Sequence, residues 1–404
     1  MSHLQGISLL GGWQGFVVVG IQRQEAGVVG VELRPKTGRL PRCGGCGKKA
    51  YRVHDWAVRF AQDLPIWGSR TRLIVHSRRV LCLQCGCRTE QIDWLDRYSR
   101  VTQRLAESVV RLCEVLPIQH VAQHYGMSWN TVKRIHKTHL QQELEPADFA
   151  GITLIGMDEF AIQKGHRYAT VIVDMETKRV LWVGRGRSRE DIRPFFDLLG
   201  EEGCKQLKAV AMDMNGAYEE EVRSHCPDVD IIYDLYHVKA KYNRDVVERV
   251  RIDELGRVRG GRPDRKVTQN QRWLLLRSKA NLTSKEDRVS LRELLSANKR
   301  IYTVYLLKED LNHLWSYRSR AAANKFWNQW YRRAIYSKIE PLKKFARNLK
   351  TYMPGILAHC DYPIGTSLIE GINNKIKVIK RMAYGFRDDD YFFLRIRHAF
   401  PGIR

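Results

Sequence analysis

Residues 151–158, Gly-Ile-Thr-Leu-Ile-Gly-Met-Asp, form a short apolar run that ends in a carboxylate and predicts a β-strand. The chain after it has the patterns of two strands, a helix, a strand, a helix and a strand, over residues 167–174, 179–184, 188–200, 207–212, 215–225 and 230–233. A second acid, Asp213, directly follows the fourth strand. These segments together predict an α/β domain that is built on a mixed β-sheet.

Three antiparallel strands followed by helix, strand, helix and strand is the order of the ribonuclease-H-like fold. In that sheet Asp158 and Asp213 would end neighbouring strands, where two carboxylates can hold Mg²⁺. A third acid on a helix would complete a site for two-metal phosphoryl transfer, and Glu370 is the best candidate. Isoleucines at helical spacing near Glu370 form an apolar face, which leaves the opposite face to Glu370, Asn373, Asn374, Lys377 and Arg381.

His237 follows the fifth predicted strand in Asp234-Leu-Tyr-His237. A lone histidine is most often structural, but an acid three residues earlier at the sheet edge favours a role near a reacting phosphate. We interpret His237 as a positioning or proton-handling residue and not as a metal ligand.

Five of the nine cysteines cluster as Cys43-Gly-Gly-Cys46 and Cys82-Leu-Gln-Cys85-Gly-Cys87. Two C-x-x-C pairs can present four thiolates to one tetrahedral, structural Zn²⁺, which predicts Cys43, Cys46, Cys82 and Cys85 as ligands. Cys87 could replace Cys85, and His54 or His76 could also serve. The alternative is a set of buried structural or redox cysteines.

Residues 118–135 have a helix-turn-helix pattern, with Gly126 at the turn and Ser128 as the cap of the second helix. Ile118, Val121, Val132 and Ile135 would form the shared core. The outward side chains, which we expect to contact DNA, are Trp129, Asn130, Lys133, Arg134 and Lys137.

The net charge of +25 indicates a polyanionic partner, most plausibly nucleic acid. The surplus is spread along the chain, with +9 in residues 1–150 and +16 in the remaining 254 residues. No apolar run approaches the ~20 residues that span a bilayer, so no membrane association is expected. The first 20 residues also lack a signal-peptide pattern.

The sequence thus predicts a multidomain α/β protein with an N-terminal zinc-binding β domain, a helix-turn-helix and a ribonuclease-H-like catalytic domain interrupted by an all-α insertion. The N-terminal domain includes a hairpin over residues 8–35, and a basic loop over 257–265 lies within the insertion. The predicted segments, with the last helices of the catalytic core at the end, are 1–95, 96–147, 148–238, 239–355 and 356–404.

The chain resembles the DDE transposases of the bacterial ISL3 insertion-sequence family along nearly its whole length. The matching motifs are the two cysteine knuckles, the helix-turn-helix, Gly156-Met-Asp158, Ala211-Met-Asp213, Asp234-x-x-His237-Val, Ile369-Glu370-Gly-Ile-Asn373-Asn374-Lys-Ile-Lys377 and Arg381-x-x-Tyr384-Gly-Phe386. One departure is Gly365-Thr-Ser-Leu, where Asn-Gly is more usual before the glutamate.

This resemblance implies a catalytic triad of Asp158, Asp213 and Glu370 that uses Mg²⁺ or Mn²⁺. It implies cleavage and strand transfer of double-stranded DNA at the element's terminal inverted repeats. It further implies a homodimer or higher oligomer on paired ends and target DNA, acting at the bacterial nucleoid in the cytoplasm.

The resemblance also implies that an aromatic residue of the insertion stacks on an unpaired base. Trp273, Trp315, Trp327 and Trp330 are the candidates, and Trp315 is favoured because its neighbours in sequence are polar. On the last helix, Asn374, Lys377 and Arg381 are expected to contact DNA near the scissile phosphate.

Two other functions are compatible with these patterns. One is a catalytically inactive regulator that binds DNA through the zinc knuckles and the helix-turn-helix, although intact acids at 158, 213 and 370 disfavour it. The other is a ribonuclease-H-like nuclease, which explains the sheet but not the N-terminal modules.

Overall fold

The computed structural model describes residues 11–24, 27–144, 148–163, 165–257, 272–362 and 367–403. The chain divides into two compact units: unit 1 contains residues 1–145 and 379–394, and unit 2 contains residues 146–378 and 395–404. The start and tip of the predicted hairpin, most of the predicted basic loop and the departure at residues 365–366 lie outside the described residues.

Unit 1 begins with a five-stranded sheet that has an apolar face and an open face. Its strands are β1 (Phe16–Gln24), β2 (Val28–Pro35), β3 (Arg52–Ile66), β4 (Ser69–Cys82) and β5 (Gly86–Thr89). The order is β1-β2-β4-β3, with β5 also paired to β4, and only the β2–β4 pairing is parallel. Because side chains alternate along a strand, odd-numbered residues such as Val31, Leu33, Ala61, Leu73 and Val75 share one buried face.

Three helices follow in unit 1: α1 (Gln103–Val115), α2 (Ile118–Tyr125) and α3 (Trp129–Glu143). Gly126 ends α2 with φ of +61°, a left-handed conformation that glycine adopts readily, and the Ser128 hydroxyl caps α3 by accepting from the Thr131 N–H. Val121 and Val132 are buried, while Ile118 and Ile135 are partly buried against the same cluster. The predicted helix-turn-helix is therefore confirmed.

A buried carboxylate, Asp63 of β3, connects this sheet to the first helix. It accepts hydrogen bonds from Trp13 Nε1 at 2.7 Å, Thr102 Oγ1 at 2.7 Å, the Leu64 N–H at 2.8 Å and Arg104 Nε at 2.8 Å. A second nitrogen of Arg104 also binds the carboxylate. Asp63 thus joins the segment before β1, strand β3 and the N-terminus of α1.

Unit 2 contains a second five-stranded sheet. Its strands are β6 (Leu154–Gln163), β7 (Arg167–Asp174), β8 (Val180–Arg185), β9 (Ala209–Met212) and β10 (Asp230–Tyr233), in the order β10-β9-β6-β7-β8. Strands β10, β9 and β6 are parallel, and β6, β7 and β8 are antiparallel. Helices α4 (Arg189–Gln206) and α5 (Gly216–His225) stand between the strands as predicted.

One detail of the predicted sheet is wrong. Strand β6 does not end at Asp158 but continues to Gln163, because its second half remains paired with β7. Its parallel pairing with β9 stops at Gly156↔Ala211. Asp158 therefore lies just past the end of the parallel ladder, although it is within the strand.

After β10 the described part of unit 2 is helical. A π-helical segment, Asn243–Glu248, lies between α6 (Leu235–Tyr242) and α7 (Arg249–Arg257). The next helices are α8 (Arg272–Leu276), α9 (Lys285–Ala297), α10 (Lys299–Asn312), α11 (Arg320–Ile335), α12 (Glu340–Thr351) and α13 (Met353–Leu357). Short 3₁₀ turns occupy Lys279–Asn281, His313–Ser316 and Ala358–Cys360.

The chain closes with α14 (Ser367–Met382) and α15 (Asp389–Ala399), and residues 379–394 of this region group with unit 1. None of the described helices combines the length and the apolar character that a membrane crossing requires. The five predicted segment boundaries remain predictions.

Candidate active site and DNA-binding modules

The ends of two parallel strands bring Asp158 and Asp213 to the same side of the unit 2 sheet. Each lies two residues beyond the last paired position, Gly156 on β6 and Ala211 on β9. The two acids and Glu370 of α14 line one cavity of about 140 Å³, together with His237, Asn373 and Lys377. The structure therefore brings the three sequence-predicted acids and His237 together.

Within the described part of the chain, the carboxylate of Asp158 accepts hydrogen bonds from two donors. Its Oδ1 accepts from the Glu159 N–H at 2.8 Å, and its Oδ2 accepts from Asn373 Nδ2 at 2.5 Å. Partial burial raises the pKa of Asp158 to about 6, because a carboxylate with few partners loses more hydration than it regains. The site therefore holds an anion whose charge is incompletely compensated.

His237 supplies the nearest cation to this pair of acids. Its Nδ1 lies 3.3 Å from Asp213 Oδ2, and its Nε2 lies 3.9 Å from Asp234 Oδ2. The hydrogen bond to Asp213 raises the pKa of His237 to about 9, so the imidazolium is the main form at neutral pH. Burial opposes ionisation of Asp213, but the hydrogen bond and the charge of His237 lower its pKa overall.

Asn373 is the site residue that sequence reasoning left without a role. It lies one helical turn after Glu370 and is buried, and among the described residues its Oδ1 has no hydrogen-bond partner. The i, i+3 spacing from Glu370 already predicts that the two residues share a helix face, but it does not indicate that Asn373 contacts Asp158. Asn374 and Lys377 are exposed, with Lys377 Nζ 3.4 Å from Asn374 Oδ1, and Arg381 is exposed further along α14.

The donor set of this cavity fits a divalent cation. The carboxylates of Asp158, Asp213, Asp234 and Glu370 line it, and they and the buried amide oxygen of Asn373 are hard oxygen ligands of the kind that Mg²⁺ and Mn²⁺ bind. The acids are less tightly gathered than the cysteines described next: within the described ranges, the cysteines form the only group of three or more metal-binding residues whose ligand atoms all lie within 4.8 Å.

Cys43, Cys46, Cys82 and Cys85 are that group. Cys46 Sγ and Cys82 Sγ are 3.6 Å apart, close to the ~3.8 Å that a tetrahedron with Zn–S bonds of about 2.3 Å requires. Gly45 packs so closely that a Cβ there would lie 3.2 Å from Cys85 Sγ, and its N–H points at Cys43 Sγ. Four thiols in this arrangement are consistent with structural zinc.

The alternative ligands considered from the sequence are placed elsewhere. Cys87 lies on β5 opposite Leu81 and is not in the group of four. His54 Nδ1 is 3.1 Å from Asp55, and His76 Nε2 is 2.7 Å from Glu32. Cys85 is therefore the better candidate for the fourth ligand.

The helix-turn-helix has a partner that its sequence did not reveal. Lys133 Nζ and Lys137 Nζ lie 2.6 and 3.0 Å from the same carboxylate oxygen of Asp388, and His136 Nδ1 lies 2.7 Å from the Tyr391 hydroxyl. Trp129, Asn130 and Arg134 are exposed on α3. Of the five predicted DNA contacts on this helix, two are thus engaged within unit 1.

The tryptophans of the helical region are mostly core residues. Trp327 and Trp330 are buried, and Trp315 is partly buried against the same cluster, with its indole N–H enclosed. Trp273 is 64% exposed, and the guanidinium of Arg272 lies 5.5 Å from its ring centroid. The polar sequence neighbours of Trp315 therefore do not indicate an exposed ring, because the ring itself packs against the core cluster.

A zinc-ribbon β domain, a helix-turn-helix and an acidic cavity on a ribonuclease-H-like sheet together define a DDE-type enzyme with its own DNA-binding modules. Comparison with known families gives three matches in the same order along the chain. The zinc-finger of transposase IS204/IS1001/IS1096/IS1165 matches residues 39–85, the helix-turn-helix domain of transposase family ISL3 matches 90–140, and the ISL3 DDE transposase domain matches 155–396.

Full-length relatives agree with these matches. The transposase for insertion sequence element IS1001 of Bordetella parapertussis is 47% identical over 396 residues, which is 97% of each chain. The transposase for insertion sequence element IS1557 of two Mycobacterium tuberculosis strains is 28% identical over 380 residues, 88% of this chain and 84% of the relative. The chain belongs to the ISL3 family of transposases, and the predicted family, fold class and enzyme class are confirmed.

Proposed function

We propose that this protein binds the terminal inverted repeats of an insertion sequence and catalyses divalent-metal-dependent DNA strand cleavage and strand transfer. The observation that carries the proposal is the convergence of Asp158, Asp213 and Glu370 on one cavity from two strands and a helix. The 47% identity to the IS1001 transposase supports an element of that kind as the substrate.

Asp158, Asp213 and Glu370 would hold Mg²⁺ or Mn²⁺, which when bound activates a water or a 3′-hydroxyl and stabilises the leaving oxygen. Asn373 keeps the Asp158 carboxylate oriented toward the cavity through its 2.5 Å hydrogen bond. His237, held by Asp213, places a positive charge and a transferable proton beside the reacting phosphate. Lys377 at the cavity and the exposed Asn374 and Arg381 would contact the flanking backbone.

Recognition of the ends would fall to unit 1. The four cysteines hold a structural Zn²⁺ that fixes the β3–β4 end of the sheet, and the exposed Trp129, Asn130 and Arg134 of α3 contact the duplex. Lys133 and Lys137 join them when they exchange Asp388 for phosphate. An aromatic residue of the helical region stacks on an unpaired base, and the exposed fractions now favour Trp273 over Trp315.

Strand transfer at paired ends requires at least two active sites, so we also propose a homodimer or larger assembly on DNA at the bacterial nucleoid.

The test of the catalytic function is cleavage of a plasmid that carries the element's two ends, with purified protein and Mg²⁺. We expect end-specific nicks with the wild type and none with Asp213→Ala. Cleavage by Asp213→Ala at the wild-type rate would contradict the site, and binding without cleavage by the wild type would favour an inactive regulator. Cleavage without preference for the ends would favour a general nuclease.

A further inference from the structure

The sheet of unit 1 buries one face and leaves the other open along β3. The side chains of Trp56, Val58 and Phe60 follow one another on that open face, and their exposed fractions are 58%, 50% and 50%. On β4, Val58 and Phe60 are opposite His76 and Ile74, which are partly exposed, and Trp56 is opposite Arg78, which is buried and paired with Glu90 at 2.7 Å. An apolar and aromatic row of this extent on a sheet marks an interaction surface.

The same face is cationic. The Arg72 guanidinium lies 4.8 Å from the centroid of the Phe60 ring. Arg70, Arg72 and Arg100 line a cavity of about 260 Å³ beside Phe60. Glu32, an acid of the neighbouring strand β2, is already bound by His76 at 2.7 Å and lies 3.8 Å from Arg34. A ligand that covers this face therefore needs flat apolar groups and negative charge together.

Single-stranded DNA has that combination, because its unpaired bases can stack on aromatic rings while its phosphates meet arginines. Duplex DNA does not, since its bases are stacked on each other and only their edges are accessible. A second copy of this chain fits poorly: a two-fold contact through this face would bring Arg70 and Arg72 near their own counterparts. Rings four residues apart on one strand are about 13 Å apart, which suits an extended single strand.

We propose that the open face formed by Trp56, Val58, Phe60 and Arg72 binds single-stranded DNA by base stacking, as a site separate from the acidic cavity. This site rests on the proposed function, because the unpaired strand would be one exposed when an element end is cut. The cavity beside Phe60 is also lined by Gly126, the turn of the helix-turn-helix, so the face is continuous with the module expected to hold the duplex end.

The test is fluorescence anisotropy of a fluorescein-labelled ten-nucleotide oligo(dT) titrated with the full-length, zinc-loaded protein in the absence of Mg²⁺. Loss of one stacked base corresponds to roughly tenfold weaker binding, so we expect Trp56→Ala and Phe60→Ala each to weaken oligo(dT) binding about tenfold. Trp67→Ala is the matched control, because Trp67 is also exposed but lies in the β3–β4 turn. Affinity for duplex end DNA should change less than about twofold in all three variants.

Folding is checked by zinc content and far-UV circular dichroism. If an alanine variant fails to fold, Trp56→Leu and Phe60→Leu keep the apolar surface without the ring and should show the same weakening. The proposal is overturned if the β3 variants bind oligo(dT) like Trp67→Ala, if oligo(U) binds more tightly than oligo(dT), or if the variants change only the sedimentation mass. The last result would identify the face as an interface between copies. Absence of metal-dependent cleavage would refute the proposed function but would leave this binding measurement unchanged.

Discussion

Asp63 in unit 1 and Asp158 in unit 2 are two carboxylates that are largely removed from water, and their surroundings shift their pKa values in opposite directions. Asp63 is buried and accepts from Trp13, Thr102, Leu64 and Arg104, and these donors outweigh burial and lower its pKa. Asp158 has one backbone N–H and one amide, and its pKa is raised to about 6. A saturated carboxylate can only hold the fold, whereas an unsaturated one at a cavity is available to a cation.

Replacing Asp158 or Asp63 by asparagine should therefore have different effects. The larger effect should be the loss of DNA cleavage in Asp158→Asn. If Asp158 is a metal ligand, as proposed, Asp158→Asn should reduce DNA cleavage at least about a thousandfold, or about 4 kcal/mol. The unfolding free energy should stay the same or rise, because a neutral amide is easier to bury than a carboxylate. Cleavage kinetics and thermal melting measure the two effects; a variant that unfolds at a much lower temperature would show that Asp158 is structural.

Asp63→Asn should do the reverse. Removing the charge leaves Arg104 without its partner, and breaking a buried pair in this way costs about 3 kcal/mol. We expect a lower unfolding midpoint in urea but no direct effect on the rate of the folded enzyme. Equal stability of variant and wild type would mean that the ion pair is not formed in solution.

The difference in unfolding free energy between wild type and Asp63→Asn should depend on pH in a defined direction. The folded-state pKa of Asp63 is lowered, so its contribution is present above the unfolded value of about 3.9 and is lost as pH falls through the folded value. Wild type and Asp63→Asn should therefore differ most at neutral pH and converge in acid. A difference that grows below pH 4 would contradict this assignment.

The amide that holds Asp158 should have an intermediate effect. Asn373→Ala should lower cleavage about 10- to 100-fold, as expected for a group that orients a metal ligand. Asn348→Ala is the matched control, because Asn348 is exposed on α12 and is not among the residues that line the cavity. A titration with Mg²⁺ separates the mechanism from a packing defect, since a misoriented ligand should shift the half-saturating metal concentration and a packing defect should not.

The smallest effect is the response to the metal itself. Mg²⁺ at about ten times its dissociation constant should stabilise the wild type by about 1.4 kcal/mol. Asp158→Asn should show much less stabilisation, and Asp63→Asn should retain all of it. Thermal melts with and without Mg²⁺ test this, and an equal shift in all three proteins would indicate that the ion binds elsewhere.

The cysteine cluster and the order of strands and helices could be predicted from local sequence, whereas the role of Asp63 could not. The two C-x-x-C pairs define the sulfur cluster because residues three apart are brought together by a single turn, and the strand and helix order defines the sheet. Acids 55 and 157 residues apart, at 158, 213 and 370, could be grouped only through that fold.

The partners could not be predicted in the same way. Helical periodicity places Asn373 on a face, but it does not reveal the hydrogen bond to Asp158, which lies 215 residues away. The contact of Lys133 and Lys137 with Asp388 is likewise invisible, because opposite charges more than 250 residues apart are no guide to proximity. The polar sequence neighbours of Trp315 favour it as an exposed stacking residue, yet its ring is partly buried against residues that are distant in sequence.

The contacts of Lys133 and Lys137 with Asp388 should also affect how DNA affinity depends on salt concentration. DNA affinity falls with salt because each cation that meets a phosphate releases ions condensed on the duplex, with a slope near 0.9 per contact. A lysine that remains bound to Asp388 contacts no phosphate and therefore releases no condensed ions. While Lys133 and Lys137 stay there, DNA binding should be less sensitive to ionic strength by nearly two contacts than the charges of α3 alone would suggest.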